Sequence, residues 1–131
     1  MRTNPGTSLW ISRERFRGLV AEALDGIPQR IHASIANVEV VVEDEPGKEL
    51  VADLGYDPGA DSLFGLYQGV PLDERGGGVP TLPDRIVIYY LPLIDAHRDE
   101  YHLRLEVRRT VIHELGHYFG FDDHHLRGRG F

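Results

Sequence analysis

Two histidines four residues apart, with a glutamate directly after the first, constrain this chain more than any other feature: His113, Glu114 and His117 can serve one ion only if residues 113–117 are helical. In a helix, residues i and i+4 lie one above the other, so both imidazoles can offer a nitrogen to the same cation. Zinc would sit roughly 2.0–2.1 Å from each. Glu114 is turned by about 100° from His113, away from the ligand pair but within reach of a metal-activated water as general base. Two ligands do not make a stable catalytic site. Gly120 can end the helix in a left-handed conformation and bring the next residues back toward the metal. By spacing the third ligand is Asp123, with His124, a stronger zinc ligand by type, as its competitor.

The helical phase of the flanking residues separates a metal-binding pair from histidines packed in a core. Leu103, Val107, Val111 and Leu115 drift along one arc, with Ile112 and Phe119 beside it. His113 and His117 fall on the far side, where core histidines would not be. The chain has no cysteine, so disulfides and thiolate sites are excluded and the metal must take nitrogen and oxygen ligands.

The run His113-Glu114-Leu115-Gly116-His117-Tyr118-Phe119-Gly120-Phe121-Asp122-Asp123 resembles the zincins. Its register H-E-x-x-H-x-x-G-x-x-D is similar to the metzincin branch, with aspartate where histidine is usual. Two departures stand out. The single methionine is Met1, so the methionine turn of true metzincins has no residue to form it, and few residues follow Asp123 to build a C-terminal subdomain. The chain is more similar to the small bacterial zincin-like metallopeptidases. That similarity extends to Leu19–Asp25, Val38–Asp44, Gly65–Leu72, Leu82–Ile86 and Val107–His113. It implies a zinc-dependent peptidase with one Zn2+ per chain held by His113, His117 and Asp123, and with Glu114 as the catalytic base. The alternative is a zinc-stabilised binding module with little hydrolysis. Retention of Glu114 argues against that alternative, and a structural site would need a fourth protein ligand such as His124.

The 131 residues are expected to form one domain, able to bury roughly two-thirds of its unfolded surface. No segment approaches the roughly 20 apolar residues of a membrane span, and the first residues lack the apolar run of a secretory signal. The expectation is a cytoplasmic protein without membrane contact. A net charge of −7 disfavours nucleic acid, and the arginines at 104, 108 and 109 read as an ordinary solvated or salt-bridged helix face. Oligomeric state is not legible.

Residues 1–10 read as a mobile leader. Ser12 is a helix cap, with Ile11 and Phe16 at staple positions and Phe16, Leu19, Val20, Ala23 and Leu24 at helical spacing up to Gly26. A shorter helix with Ile31 and Ile35 follows Pro28 and closes at Asn37. Val38 to Glu43 alternates as a strand, and residues 43–61 read as an acidic, Gly- and Pro-containing surface connection. Two further strands are expected at Leu63–Tyr67 and Arg85–Leu91, the second apolar enough on both faces to be central. Gly76-Gly77-Gly78 reads as a flexible loop without the partners of a phosphate loop. Pro92 is expected to end the strand, and the long helix to start at Asp95 or Asp99 and run to about Phe119, with a last turn at 122–127.

The fold class is therefore α+β: a mixed sheet of three or four strands on helices, with the motif on a long C-terminal helix beneath a sheet edge. Substrate would be extended or unfolded polypeptide, bound along an edge at Leu63–Tyr67 leading into Gly69-Val70-Pro71. Tyr67, Tyr89, Tyr90 and Tyr118 are candidate oxyanion donors with none preferred. Glu106 and Arg109 share the histidines' arc and could steady His113 or simply pair with each other. Arg108 falls within the apolar arc, where only a buried ion pair accounts for it. His32, His97, His102 and His125 have no ligand spacing and read as surface residues.

Overall fold

A computed structural model describes residues 9–55, 63–69 and 84–121. Helix α1 (Arg13–Asp25) begins where the Ser12 hydroxyl accepts the Arg15 N–H and ends at Gly26. It buries Phe16, Leu19, Val20 and Ala23, the apolar stripe read from spacing. The short helix α2 (Gln29–His32) follows Pro28 and tightens into a 3-10 turn at Ala33–Ile35. Strand β1 (Val38–Glu43), helix α3 (Lys48–Asp53), strand β2 (Gly65–Gln68), strand β3 (Asp84–Tyr89), helix α4 (Tyr90–Asp95) and helix α5 (Glu100–Tyr118) complete the described chain. None of these helices is long and apolar enough to cross a membrane.

The sheet has the order β1-β3-β2. β1 runs parallel to β3 in a register from Val38↔Asp84 to Glu43↔Tyr89, and β2 runs antiparallel to β3 from Gly65↔Ile88 to Gln68↔Arg85. β3 is central, and Ile86, Val87, Ile88 and Tyr89 are all buried, as its two-faced apolar sequence requires. Ile86 and Ile88 meet Phe16 and Leu19 of α1, Leu93 of α4, and Leu103, Val107 and Val111 of α5 in one core. The architecture is α+β, a three-stranded mixed sheet packed on helices.

Three elements differ from the sequence-based expectation. β3 stops at Tyr89 and the chain turns directly into α4, so Tyr90 and Leu91 are helical rather than extended. Pro92 occupies the first turn of α4, where its missing N–H leaves no bond unmade, and so it does not act as a strand terminator. α3 lies inside the stretch read as a plain connection; with six residues and only Val51 buried, it is too short to declare a period. Arg108 is exposed on α5, so no buried ion pair is needed. The reading of residues 1–8, the Gly76–Gly78 loop and the turn at 122–127 falls outside the described residues.

Of the two candidate caps for the long helix, Asp99 is the one used: its carboxylate accepts the His102 backbone N–H at 2.8 Å and also contacts the His102 ring. Those two interactions, the backbone bond first, hold the Asp99 carboxyl below its ordinary range. A depressed carboxyl contributes stability that is fully present above the unfolded value, about 3.9, and lost as pH falls through the folded one. Asp99→Ala is expected to lower Tm by several degrees at neutral pH. Asp99→Asn keeps an acceptor without a charge, and its deficit should close as pH drops below about 4; thermal melts across that range check both.

Candidate metal centre

α5 presents His113 and His117 on one side, each partly buried, with Glu114 buried beside them and only 7% exposed. One ligand atom from each of the three lies within 4.8 Å of the others. The imidazole rings are 5.0 Å apart at 74° to one another. Nitrogens on a tetrahedral ion at about 2.1 Å stand roughly 3.4 Å apart, a spacing that side-chain rotation within this group supplies. Two imidazoles and a carboxylate, with no thiol in the chain, suit a borderline cation such as zinc. Among the described residues this is the only group of three or more potential ligands.

β2 lies over Glu114 of this group, and the closeness of that cover depends on Gly65. A Cβ built on Gly65 would stand 2.7 Å from Thr110 Cγ2, 3.2 Å from the Val87 carbonyl oxygen and 3.3 Å from Glu114 Cγ. A strand with any side chain at this position would have to stand off the helix. Thr110 turns its hydroxyl back to donate to the Glu106 carbonyl at 2.8 Å, leaving its methyl toward the strand. One turn beyond Glu114, the Tyr118 ring lies 6.0 Å from that of Tyr67 on β2, and the Tyr118 hydroxyl donates to the Ser34 carbonyl at 3.0 Å. Thr110, Glu114 and Tyr118 thus form a second buried stripe on α5. A search for apolar periodicity misses it because two of its three members are polar by type. The available signal was their i, i+4, i+8 spacing together with a glycine inside a strand.

The end of α5 carries a glycine turn. Gly120 adopts φ +95°, its N–H donates to the His117 carbonyl at 3.0 Å, and the Phe121 N–H reaches the Gly116 carbonyl at 2.9 Å. This pair of bonds is the Schellman arrangement, available cheaply to glycine alone. It turns the chain three residues after the second histidine. Asp123, its competitor His124, and His125 lie outside the described residues.

The remaining candidates take other roles. The Tyr90 hydroxyl donates to the Ile11 carbonyl and its ring packs edge-on against Phe16, which places it in the core. Burial pushes the Tyr89 phenol above its ordinary range, and the Glu43 and Glu114 carboxylates act in the same direction against Arg85. The Glu106 carboxylate stands 3.9 Å from the Nε2 of His97. His97 is largely buried rather than a surface residue: its Nδ1 donates to the Leu93 carbonyl at 2.7 Å and its ring faces Phe64. His32 similarly donates to the Leu24 carbonyl at 3.2 Å, and His102 sits at the Asp99 cap. None of these three joins the metal group.

A small α+β domain with a glutamate and two histidines on one helix, set beneath the edge strand of its sheet, has the organisation of a zincin. A family model described as zincin-like metallopeptidase matches residues 35–130, and the chain belongs to that family. Among solved structures, a conserved hypothetical protein from Thermo thermophilus is similar in fold: 22% identity, TM-score 0.55, covering 90% of this chain and 99% of its own. No curated protein matches the sequence.

The close approach of β2 generates a test. Gly65→Ala should destabilise the fold by about 1–3 kcal/mol, the scale of overpacking a filled site. Thr110→Ser removes the clashing methyl and keeps the bond to Glu106, so Gly65→Ala/Thr110→Ser should recover part of that loss. Denaturant unfolding of the two singles and the double measures the coupling, and strict additivity would show that the contact is not the cause.

Proposed function

We propose that this chain is a zinc-dependent peptidase that cleaves extended or unfolded polypeptide. The observation that carries the reading is a buried carboxylate held beside two imidazoles of the same helix, directly beneath an edge strand. A structural zinc site has no use for such a carboxylate; water activation does. His113 and His117, with Asp123 as third ligand by its place after Gly120, would hold one ion per chain. When bound, that ion supplies Lewis acidity, polarising a peptide carbonyl and making water a stronger acid near neutral pH.

Glu114 provides the proton traffic. Its carboxylate accepts the proton released as water attacks the carbonyl carbon, and returns a proton to the leaving amine as the C–N bond breaks. Burial limits the positions open to the Glu114 side chain, which would leave the acceptor oriented when substrate arrives. Among the described residues β2 pairs on one side only, with β3. An extended chain laid along its other edge would be held through backbone N–H and C=O groups, a mode of binding that depends little on side-chain identity. Loose specificity follows, and folded proteins, which lack free extended segments, are poor substrates.

Zinc analysis after dialysis should find one equivalent in the wild type and a large loss in His113→Ala and His117→Ala; equal retention in all three would sink the assignment. Between Asp123→Ala and His124→Ala, the greater loss of zinc affinity is expected for Asp123→Ala. Glu114→Gln should keep its zinc and lose peptide hydrolysis by roughly two or more orders of magnitude, the scale of general-base catalysis. Undiminished hydrolysis in that variant would remove Glu114 from the mechanism. Retained zinc with no hydrolysis in any form of the protein would instead favour the binding-module alternative.

The substrate mode has its own measurement. Hydrogen exchange on the Glu114→Gln protein with an uncleaved extended peptide should show new protection at residues 63–71 and along α5 near the histidines. Protection confined to α1 would refute binding at the β2 edge.

A further inference from the structure

α5 has a third face, turned away from the histidines and bordering the core at Leu115, which is buried. Tyr101, Leu105, Arg108, Ile112, Leu115 and Phe119 follow one another along it at alternating spacings of four and three residues. That is the a/d repeat with which one helix receives another. It runs the length of the 19-residue helix, about 28 Å at roughly 1.5 Å per residue. The N-terminal half is open: Tyr101 is 65% exposed and Leu105 43%. The C-terminal half floors a groove of ≈ 460 Å³, walled by Ile27, Pro28 and Ile31 at the α1–α2 junction and by Phe121. Large exposed hydrophobic side chains concentrate here, with Tyr101, Leu105 and Phe121 all on this face or its rim.

Charge decides what kind of partner fits. Arg108, in the middle of the seam, is exposed and makes no ion pair among the described residues. Its neighbour Arg104 is engaged with Glu22 and Glu100. The acids of α5 are directed elsewhere: Glu100 to Arg15 of α1, Glu106 toward His97, and Glu114 beneath β2. A chain of net charge −7 therefore displays one apolar seam whose only charge is a cation. A second copy docked here would bring two guanidinium groups into the same interface with no carboxylate on either seam. A partner carrying its own carboxylate avoids that repulsion and supplies the missing counter-charge.

We propose that this face is a docking site for an amphipathic helix of another protein, with a glutamate or aspartate on its apolar side at the level of Arg108. At about 100° per residue, the seam lies roughly 135° around α5 from the histidine pair. A helix bound there leaves the His113–His117 face open, so the surface can hold a partner independently of the metal centre.

The probe is a fluorescent amphipathic peptide of about 20 residues with leucine and isoleucine at the a and d positions and one central glutamate, compared with the same peptide carrying lysine there. Anisotropy titrations with the intact chain should show saturable binding of the glutamate peptide, at least about tenfold tighter than the lysine peptide. Arg108→Glu, with its fold checked by circular dichroism and zinc content, should invert the preference. Leu105→Asp should abolish binding of both peptides, and Tyr101→Glu, at a more exposed position, serves if that variant does not fold. No saturable binding, equal affinities, or a preference that survives Arg108→Glu would overturn the proposal. So would a dimer in sedimentation that Leu105→Asp dissociates, which assigns the face to a second copy. Binding seen only after removal of residues 122–131 would overturn it as well, assigning the groove to the chain's own C-terminal segment.

Discussion

The backbone of β2 lies against α5 at Gly65 so closely that a methyl group there would overlap Thr110 and crowd Glu114. Much of the domain follows from that approach. It brings the edge of the sheet down onto the helix, buries Glu114 without leaving it in the apolar core, and keeps the histidines beside it partly exposed. It also means that α5 is packed on two flanks, by α1 and α4 around Leu103, Val107 and Val111 and by β2 over Thr110 and Glu114. A helix enclosed in this way cannot show a single clean amphipathic period, because its buried surface includes residues of both polarities.

Polar groups at the helix ends hold α5 and its neighbours in register. Ser12 and Asp99 cap α1 and α5, His32 and His97 donate to carbonyls at the ends of α1 and α4, and Gly120 closes α5. Tyr118 reaches across to the Ser34 carbonyl and ties the C-terminal turn of the motif helix to the 3-10 turn before β1. The ion pairs between α1 and α5, Arg15 with Glu100 and Arg104 with Glu22, lie at the surface. Screening makes pairs of this kind minor contributors to stability, so their effect is chiefly on which faces of the two helices meet.

Helix α5 thus carries three surfaces with different chemistry. One belongs to the core and the sheet, one carries the two imidazoles beside the buried Glu114 carboxylate, and one is an apolar seam with an arginine at its centre. Separating them around a single helix is possible because 3.6 residues per turn gives each stripe its own spacing, and a long helix repeats every stripe several times. The metal group occupies the last turns, and Gly120 redirects the chain three residues after His117.

The local signals were legible because they depend on spacing and on residue type. The cap at Ser12, the stripe of α1, the extent of β1, the central apolar strand, the His113–His117 pair and the left-handed turn at Gly120 each follow from a few neighbouring residues. The helix start could be narrowed to two aspartates but not chosen, since both have the chemistry of a cap and only the placement of α4 leaves Asp99 in position. α4 itself was hidden because Tyr90 and Leu91 continue an apolar run whose period does not separate a buried strand from a buried helix. What lies over the motif helix was decided by tertiary structure alone. What stands against Gly65 is known only once Thr110 and Glu114 are seen beneath it, Arg108 reads as a buried charge until its exposure beside the groove is seen, and His97 reads as solvated until Phe64 and Leu93 close around it. Spacing along a chain assigns a residue to a face of its own helix or strand, but which neighbour that face meets, and how closely, depends on segments far away in the sequence.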